Sequence, residues 1–202
     1  QEPDGNWYGS NHVTVANNVG QGNSDGSVIG IAHSFASPVG NYTITGNVAH
    51  GSHRRLVTIH ATAQDDIQDV TITGNVGEGG DRQGIDVQQA KNVVITGNVL
   101  RGYGNSSFDP FELDRVSEFI VANNTLKNGT GTGLYSVDTS DGIIANNYVI
   151  GNSKSGIISD GQRVSVLGNV CKDNGRNGIL LDSFTYNQGD RVAAQNMVVN
   201  NS

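Results

Sequence analysis

"VTITGNV" at residues 70–76 returns almost letter for letter as "VVITGNV" at residues 93–99. Working outward from this pair, the same segment recurs as "YTITGNV" (42–48) and "VTVANNV" (13–19) upstream, and as "FIVANNT" (119–125), "GIIANNY" (142–148) and "VSVLGNV" (164–170) downstream. The closing asparagines are Asn18, Asn47, Asn75, Asn98, Asn124, Asn147 and Asn169, with Asn196 in "AAQNMVV" as a degenerate eighth. They are 22 to 29 residues apart, a period that belongs to repeat architectures in which each unit buries its apolar face only against its neighbours.

A second segment falls between these, usually announced by glycine: "SVIGIAH" (27–33), "RLVTIHA" (55–61), "GIDVQQA" (84–90), "FELDRV" (111–116), "GLYSVDT" (133–139), "GIISDGQ" (156–162) and "GILLDSF" (178–184). Two or three short β-branched strands per period, separated by Gly and Asn turns and with no stretch of helical length, predict coils stacked along an axis. The fold class is therefore all-β: a right-handed parallel β-helix, or solenoid, of about seven to eight coils. The hand follows the general rule for parallel crossovers. Residues 1–202 read as a single domain.

Stacked on its neighbours, the recurring Asn is expected at an interior bend, its amide bonding the coils above and below while its backbone takes the left-handed turn. Asn-X-Ser/Thr matches at Asn41, Asn105, Asn123, Asn128 and Asn200 are then accidents of an Asn-rich repeat. Neither terminus reads as a finished cap. "QEPDGNWYG" offers Trp7 and Tyr8 as a weak one, and "QNMVVNNS" stops in mid-coil. A chain opening on Gln1 is expected to be excised from, or continuous with, a longer one, and a homotrimer or flanking domain to cover the open coil ends.

Composition narrows the function. Charged residues are 15% of the chain, net charge is -7 and there are 28 glycines. Without a broad basic face, wrapping a nucleic-acid backbone is excluded. No apolar run approaches a membrane span and no signal-peptide pattern is present, so neither nucleic acid nor membrane is expected as a partner. Cys171 is the single cysteine, which removes disulfides and cysteine zinc sites and marks it as core filler. Of the twelve Lys and Arg, Arg54, Arg55, Arg82, Lys91, Arg101 and Arg115 fall within residues 54–115, a local cationic bias suited to a polyanion.

Counting back from the repeated Asn aligns the coils and exposes a surface. Ile85, Phe111, Leu134, Ile157 and Ile179 share an inward column, and Val87, Leu113, Ser136, Ser159 and Leu181 the next. Between them, outward columns read Gly30, Thr58, Asp86, Glu112, Tyr135, Ile158, Leu180 and Ala32, His60, Gln88, Asp114, Val137, Asp160, Asp182. The chemistry gathers at His60, Asp86, Glu112, Asp114 and Tyr135, with Arg82 and Arg115 nearby to bind an anionic substrate. Coils lie ~4.8 Å apart, so Asp86 and Glu112 should raise at least one carboxyl pKa. Asp160 and Asp182 read as surface solvation. Insertions at 34–41, 62–69, 101–108 and 183–191 are candidate groove walls.

These repeats resemble the right-handed parallel β-helix superfamily of carbohydrate-active proteins, which includes pectate and alginate lyases, polygalacturonase-like hydrolases, mannuronan C-5-epimerases and phage tailspikes. Locally, Tyr103-Gly104 followed by Phe108-Asp109-Pro110-Phe111-Glu112 is similar to the Tyr-Gly-Phe-Asp-Pro-His-Glu of mannuronan C-5-epimerase catalytic modules. Three residues are inserted and Phe111 stands where that family has its catalytic His. The resemblance implies Tyr103 as proton-transfer residue with Asp109 and Asp138 as acidic partners, and leaves His60 as a stand-in for the lost His.

Three functions remain open. One is lyase or epimerase chemistry on an acidic glycan, removing the C5 proton. Another is a glycoside hydrolase or tailspike depolymerase with paired carboxylates drawn from Asp86, Glu112 and Asp114. The last is a non-catalytic glycan-binding or adhesin β-helix. Each places the chain outside the cell or on a virion surface. No cofactor is expected. Calcium would suit clustered carboxylates, although no loop is dedicated to it and the metal ligands stay unassigned.

Overall fold

A computed structural model describes residues 11–21, 26–33, 38–63, 66–182 and 190–202, side chains 52–53 excepted. Trp7, Tyr8, half of the insertion loop at 34–41 and most of that at 183–191 lie outside the described residues. A short lead-in, β1 (Val13–Ala16) and β2 (Val19–Gln21), precedes six complete coils. The first four are β3 (Ser27–His33), β4 (Val39–Thr45), β5 (Val48–His53); β6 (Arg55–Ala61), β7 (Ile67–Thr73), β8 (Val76–Gly80); β9 (Ile85–Gln88), β10 (Ala90–Thr96), β11 (Val99–Arg101); and β12 (Phe111–Asp114), β13 (Ser117–Ala122), β14 (Thr125–Lys127). In the next two, the first strands fuse across the bend: β15 (Leu134–Ala145) with β16 (Tyr148–Ile150), and β17 (Ile157–Leu167) with β18 (Val170–Lys172). A last, interrupted coil holds β19 (Ile179–Asp182), β20 (Val192–Ala194) and β21 (Met197–Val199). Six complete coils with partial ones at the ends is slightly fewer than expected; the fold is a right-handed parallel β-helix.

Each coil pairs in parallel with the next, and among the described residues thirteen strands form one continuous sheet and eight a second. The outward columns stack as the sequence predicts: Thr58 on Asp86, Asp86 on Glu112, Glu112 on Tyr135, and His60 on Gln88, Gln88 on Asp114. Inward side chains fill the axis, with Ile85, Val87, Phe111, Leu113, Leu134 and Ile157 fully buried. Burial gained coil upon coil is what stabilises strands that, apart from the fused β15 and β17, are only three to seven residues long.

The repeated asparagines hydrogen-bond continuously along the axis. Asn98 is representative: its Nδ2 donates to Asn124 Oδ1 at 3.0 Å and to Ile72 O at 3.0 Å, while its Oδ1 accepts from the backbone N and side-chain Nδ2 of Asn75, both at 2.9 Å. The left-handed residue, however, is the one before: Asn17, Gly46, Gly74, Gly97, Asn123, Asn146, Gly168 and Gln195 all have positive φ. The division of labour is physical. The residue before the bend turns the backbone, where Gly and Asn strain least. The next residue then faces inward and must satisfy buried backbone groups with its amide. A shorter amide stack occupies another bend, with Asn152 Nδ2 donating to Asn174 Oδ1 and Asn174 Nδ2 to Asn201 Oδ1.

Candidate active site

The first strand of each coil carries the loaded columns, and the third and fourth coils bring them together. Asp86, on β9, points outward yet is fully buried, because its neighbours close over it. His60 Nε2 lies 2.9 Å and Arg55 Nε 3.2 Å from the same carboxylate oxygen, Oδ2. Gln88 Nε2 donates to the other oxygen, Oδ1, at 3.2 Å. A carboxylate in an ion pair with arginine only accepts, so His60 Nε2 carries the hydrogen and, in the neutral ring, Nδ1 holds the lone pair. The His60 side chain is 35% exposed, and among the described residues no hydrogen bond takes that second nitrogen.

A second chain of bonds runs alongside. Arg55 Nε donates to Gln83 Oε1 at 3.0 Å, and Gln83 Nε2 donates to Glu112 Oε2 at 2.7 Å. Arginine has no acceptor, so the Gln83 amide has one workable orientation and Glu112 Oε2 must accept. When Glu112 is protonated its hydrogen therefore sits on Oε1. Burial, and then the charges of Asp86, Asp109 and Asp114, push the Glu112 carboxyl above its usual range, against the bond from Gln83 that pulls it down. Tyr135, next in the column, is likewise raised, by burial first and then by Asp160, Asp109, Glu112 and Asp138. It is a proton donor at neutral pH and not a base.

The loop entering β12 forms a wall on one side. Phe108 lies under the Arg82 guanidinium, 4.4 Å from ring centroid to Cζ, with Arg55 at 6.0 Å. Asp109 Oδ1 accepts from the Thr132 backbone N at 2.5 Å and lies 3.8 Å from Lys154 Nζ. Asp109 is thus tied to the backbone of the following coil. Asp114 takes both Nε and Nη2 of Arg115, at 3.1 and 2.6 Å, so this arginine is already committed to a carboxylate.

Three expectations from the sequence need correction. Tyr103 is completely buried: it occupies the bend position that Gly129 and Asn152 hold in later coils, and its ring fills the space over Gly77 and Gly80, where an added Cβ would lie 2.2 and 2.3 Å from it. A phenol in the core, its pKa driven far up by burial and by Glu78, cannot reach a substrate on the outer face. Asp138 is the extra residue of a bulge in β15, at φ 51°, on the bend after the strand, whereas Asp109 precedes the strand of the coil before. Tyr103 therefore does not join Asp109 and Asp138, whose charges both act on Tyr135 instead. Asp160 is 1% exposed, with Arg191 Nη2 at 3.9 Å, and does not solvate the surface.

Gln83 is the residue that sequence reasoning passed over, and Arg55 entered it only as one of six cations and not as a site residue. Their signal was available: Ser27 pairs with Arg55 in the strand register, and carrying the same coil offsets back places Arg55, Gln83 and Asp109 in one stack. Among the described residues, no group of three or more His, Cys, Asp or Glu side chains is arranged to hold a metal ion.

Residues 57–202 match the family model described as "right handed beta helix region", and the chain belongs to that family. Among solved structures it is similar to the A-module of the mannuronan C-5 epimerase AlgE6 of Azotobacter vinelandii, at 13% identity and a TM-score of 0.49, covering 92% of this chain and 57% of that one. It is also similar to the AlgE4 A-module of the same organism, at 16% identity and a TM-score of 0.33, covering 81% and 62%. The chain thus spans about three-fifths of either module. No curated protein sequence matches it.

Proposed function

We propose that this chain acts outside the cell or on a virion surface, moving the C5 proton of a uronate in an acidic polysaccharide, the step with which both lyases and epimerases begin. The observation that carries this reading is the hydrogen bond between the buried Asp86 and the partly exposed His60, which holds the ring at Nε2 and leaves the lone pair on Nδ1. The C5 hydrogen is acidic only when the adjacent carboxylate is neutralised, and an arginine beside the dyad supplies that charge. His60 Nδ1 takes the proton, and Asp86 stabilises the imidazolium that forms. Glu112, protonated on Oε1, returns a proton either to the leaving glycosidic oxygen, giving an unsaturated sugar, or to C5 from the other face. Tyr135 is the second donor within the same columns.

The test is incubation with alginate and polygalacturonate in deuterated water, following the ultraviolet absorption of unsaturated uronates and deuterium entry at C5. His60→Ala and Glu112→Gln should each abolish the signal, and silence from the unaltered protein with every polymer ends the reading.

The raised carboxyl of Glu112 also suits the acid of a glycoside hydrolase. Asp86 is a poor second member of such a pair, being enclosed by Arg55, His60 and Gln88. Reducing ends released without unsaturation, lost in Glu112→Gln and kept in His60→Ala, would identify that chemistry. Tight glycan binding with neither product would identify a non-catalytic module.

A further inference from the structure

Resting on the uronate reading, we propose that Arg55 is the fork that binds the reacting sugar's carboxylate, so that the site takes the free acid and discriminates against its methyl ester. The one hydrogen bond that Arg55 makes to the described residues runs from Nε to Gln83 Oε1 at 3.0 Å, and the same nitrogen forms an ion pair with Asp86 Oδ2 at 3.2 Å. Among the described residues nothing takes Nη1 or Nη2. An arginine held at Nε by one acceptor and one ion pair keeps both terminal nitrogens for a ligand, and a carboxylate is the planar, two-oxygen anion that matches that fork.

Distance selects Arg55 over the other arginines. The acidic hydrogen of a uronate is on C5 and the carboxylate on the adjoining carbon, so base and cation must be close neighbours. Arg55 Nε and His60 Nε2 reach the same oxygen of Asp86 at 3.2 and 2.9 Å and are therefore no more than about 6 Å apart. Arg82 is stacked over Phe108 on the wall, and Arg115 has given both Nε and Nη2 to Asp114. One buried carboxylate thus places the base and the charge that acidifies its target proton. A methyl ester removes the anion and one acceptor, leaving the fork half-used beside a group that no longer repays its desolvation.

The test is calorimetric titration of the full chain with saturated tetramers of galacturonate, mannuronate and guluronate, and with their methyl esters. At least one free tetramer should bind at least tenfold more tightly than its ester. Arg55→Lys keeps the charge facing Asp86 but loses the fork; it should weaken the free acid at least tenfold and leave the ester unchanged. Arg163→Lys, on a remote surface pair with Asp141, should alter neither. Equal binding of acid and ester by the unaltered protein overturns the proposal, as does full affinity in Arg55→Lys. Should that variant fail to fold, the acid-to-ester ratio of the unaltered protein decides alone. Turnover of uronate polymers with no preference for the acid would remove only the Arg55 assignment. Absence of both binding and C5 exchange would remove the uronate reading with it.

Discussion

At the scale of single residues, the environment decides what otherwise similar groups can do. Asp86, Asp114 and Glu112 share one small surface, yet Asp86 is enclosed by three donors, Asp114 is paired with Arg115 and Glu112 keeps an oxygen uncommitted. Because the Glu112 pKa is raised in the fold, the stability it contributes is fully present below the unfolded carboxyl pKa and is lost as pH rises through the folded one. Glu112→Gln should therefore flatten the fall of the melting temperature across that window, measured by thermal scans across pH 3 to 9, while abolishing turnover. Tyr103→Phe is expected to behave oppositely. With the phenol in the core, the variant should lose about 1 kcal/mol of stability in urea unfolding and keep uronate turnover within about threefold. Loss of turnover with unchanged stability would return Tyr103 to the catalytic group.

At the scale of elements, each bend carries two requirements, a left-handed backbone and an inward amide, met by adjacent residues. Asn98→Ala would leave the backbone N and amide of Asn75 and the Ile72 carbonyl without their partner in a dry interior. It should cost about 3–5 kcal/mol in denaturant unfolding, whereas Asn18→Ala, at a partly exposed end, should cost under about 1.5. Tyr103 interrupts the amide pattern at its own bend, and space for its ring comes from Gly77 and Gly80. Gly77→Ala should destabilise by about 1–3 kcal/mol through overpacking, and pairing it with Tyr103→Leu should recover part of that loss. Strict additivity of the two changes would show that the close contact does not govern the glycine.

At the scale of the whole molecule, stability is a sum over neighbouring coils, so it should grade along the axis. The inward column that buries Leu100, Leu126, Val149 and Cys171 ends at Val198, which is 52% exposed, beside Met197 at 59%. Amide hydrogen exchange should be slowest in β10 and β13 and fastest in β20 and β21; uniform protection along the axis would contradict a nearest-neighbour solenoid. The fold was legible because its cause is periodic: one Asn per coil fixes the offset, the offset fixes the columns, and side-chain alternation fixes which residues face out. From that alone His60, Asp86, Glu112 and Tyr135 fall on one surface.

The coil, its register and the two outward columns are written in the amino-acid sequence, since they depend only on local alternation and a repeated spacing. Tertiary structure alone decided which outward residues are covered and what they bond to. Asp86 is outward by alternation yet buried by Arg55 and His60, and Tyr103 follows a family-like pattern yet turns into the core at a bend. The reason is that burial and hydrogen bonding depend on long side chains reaching across coils, and reach has no periodicity for a sequence to display.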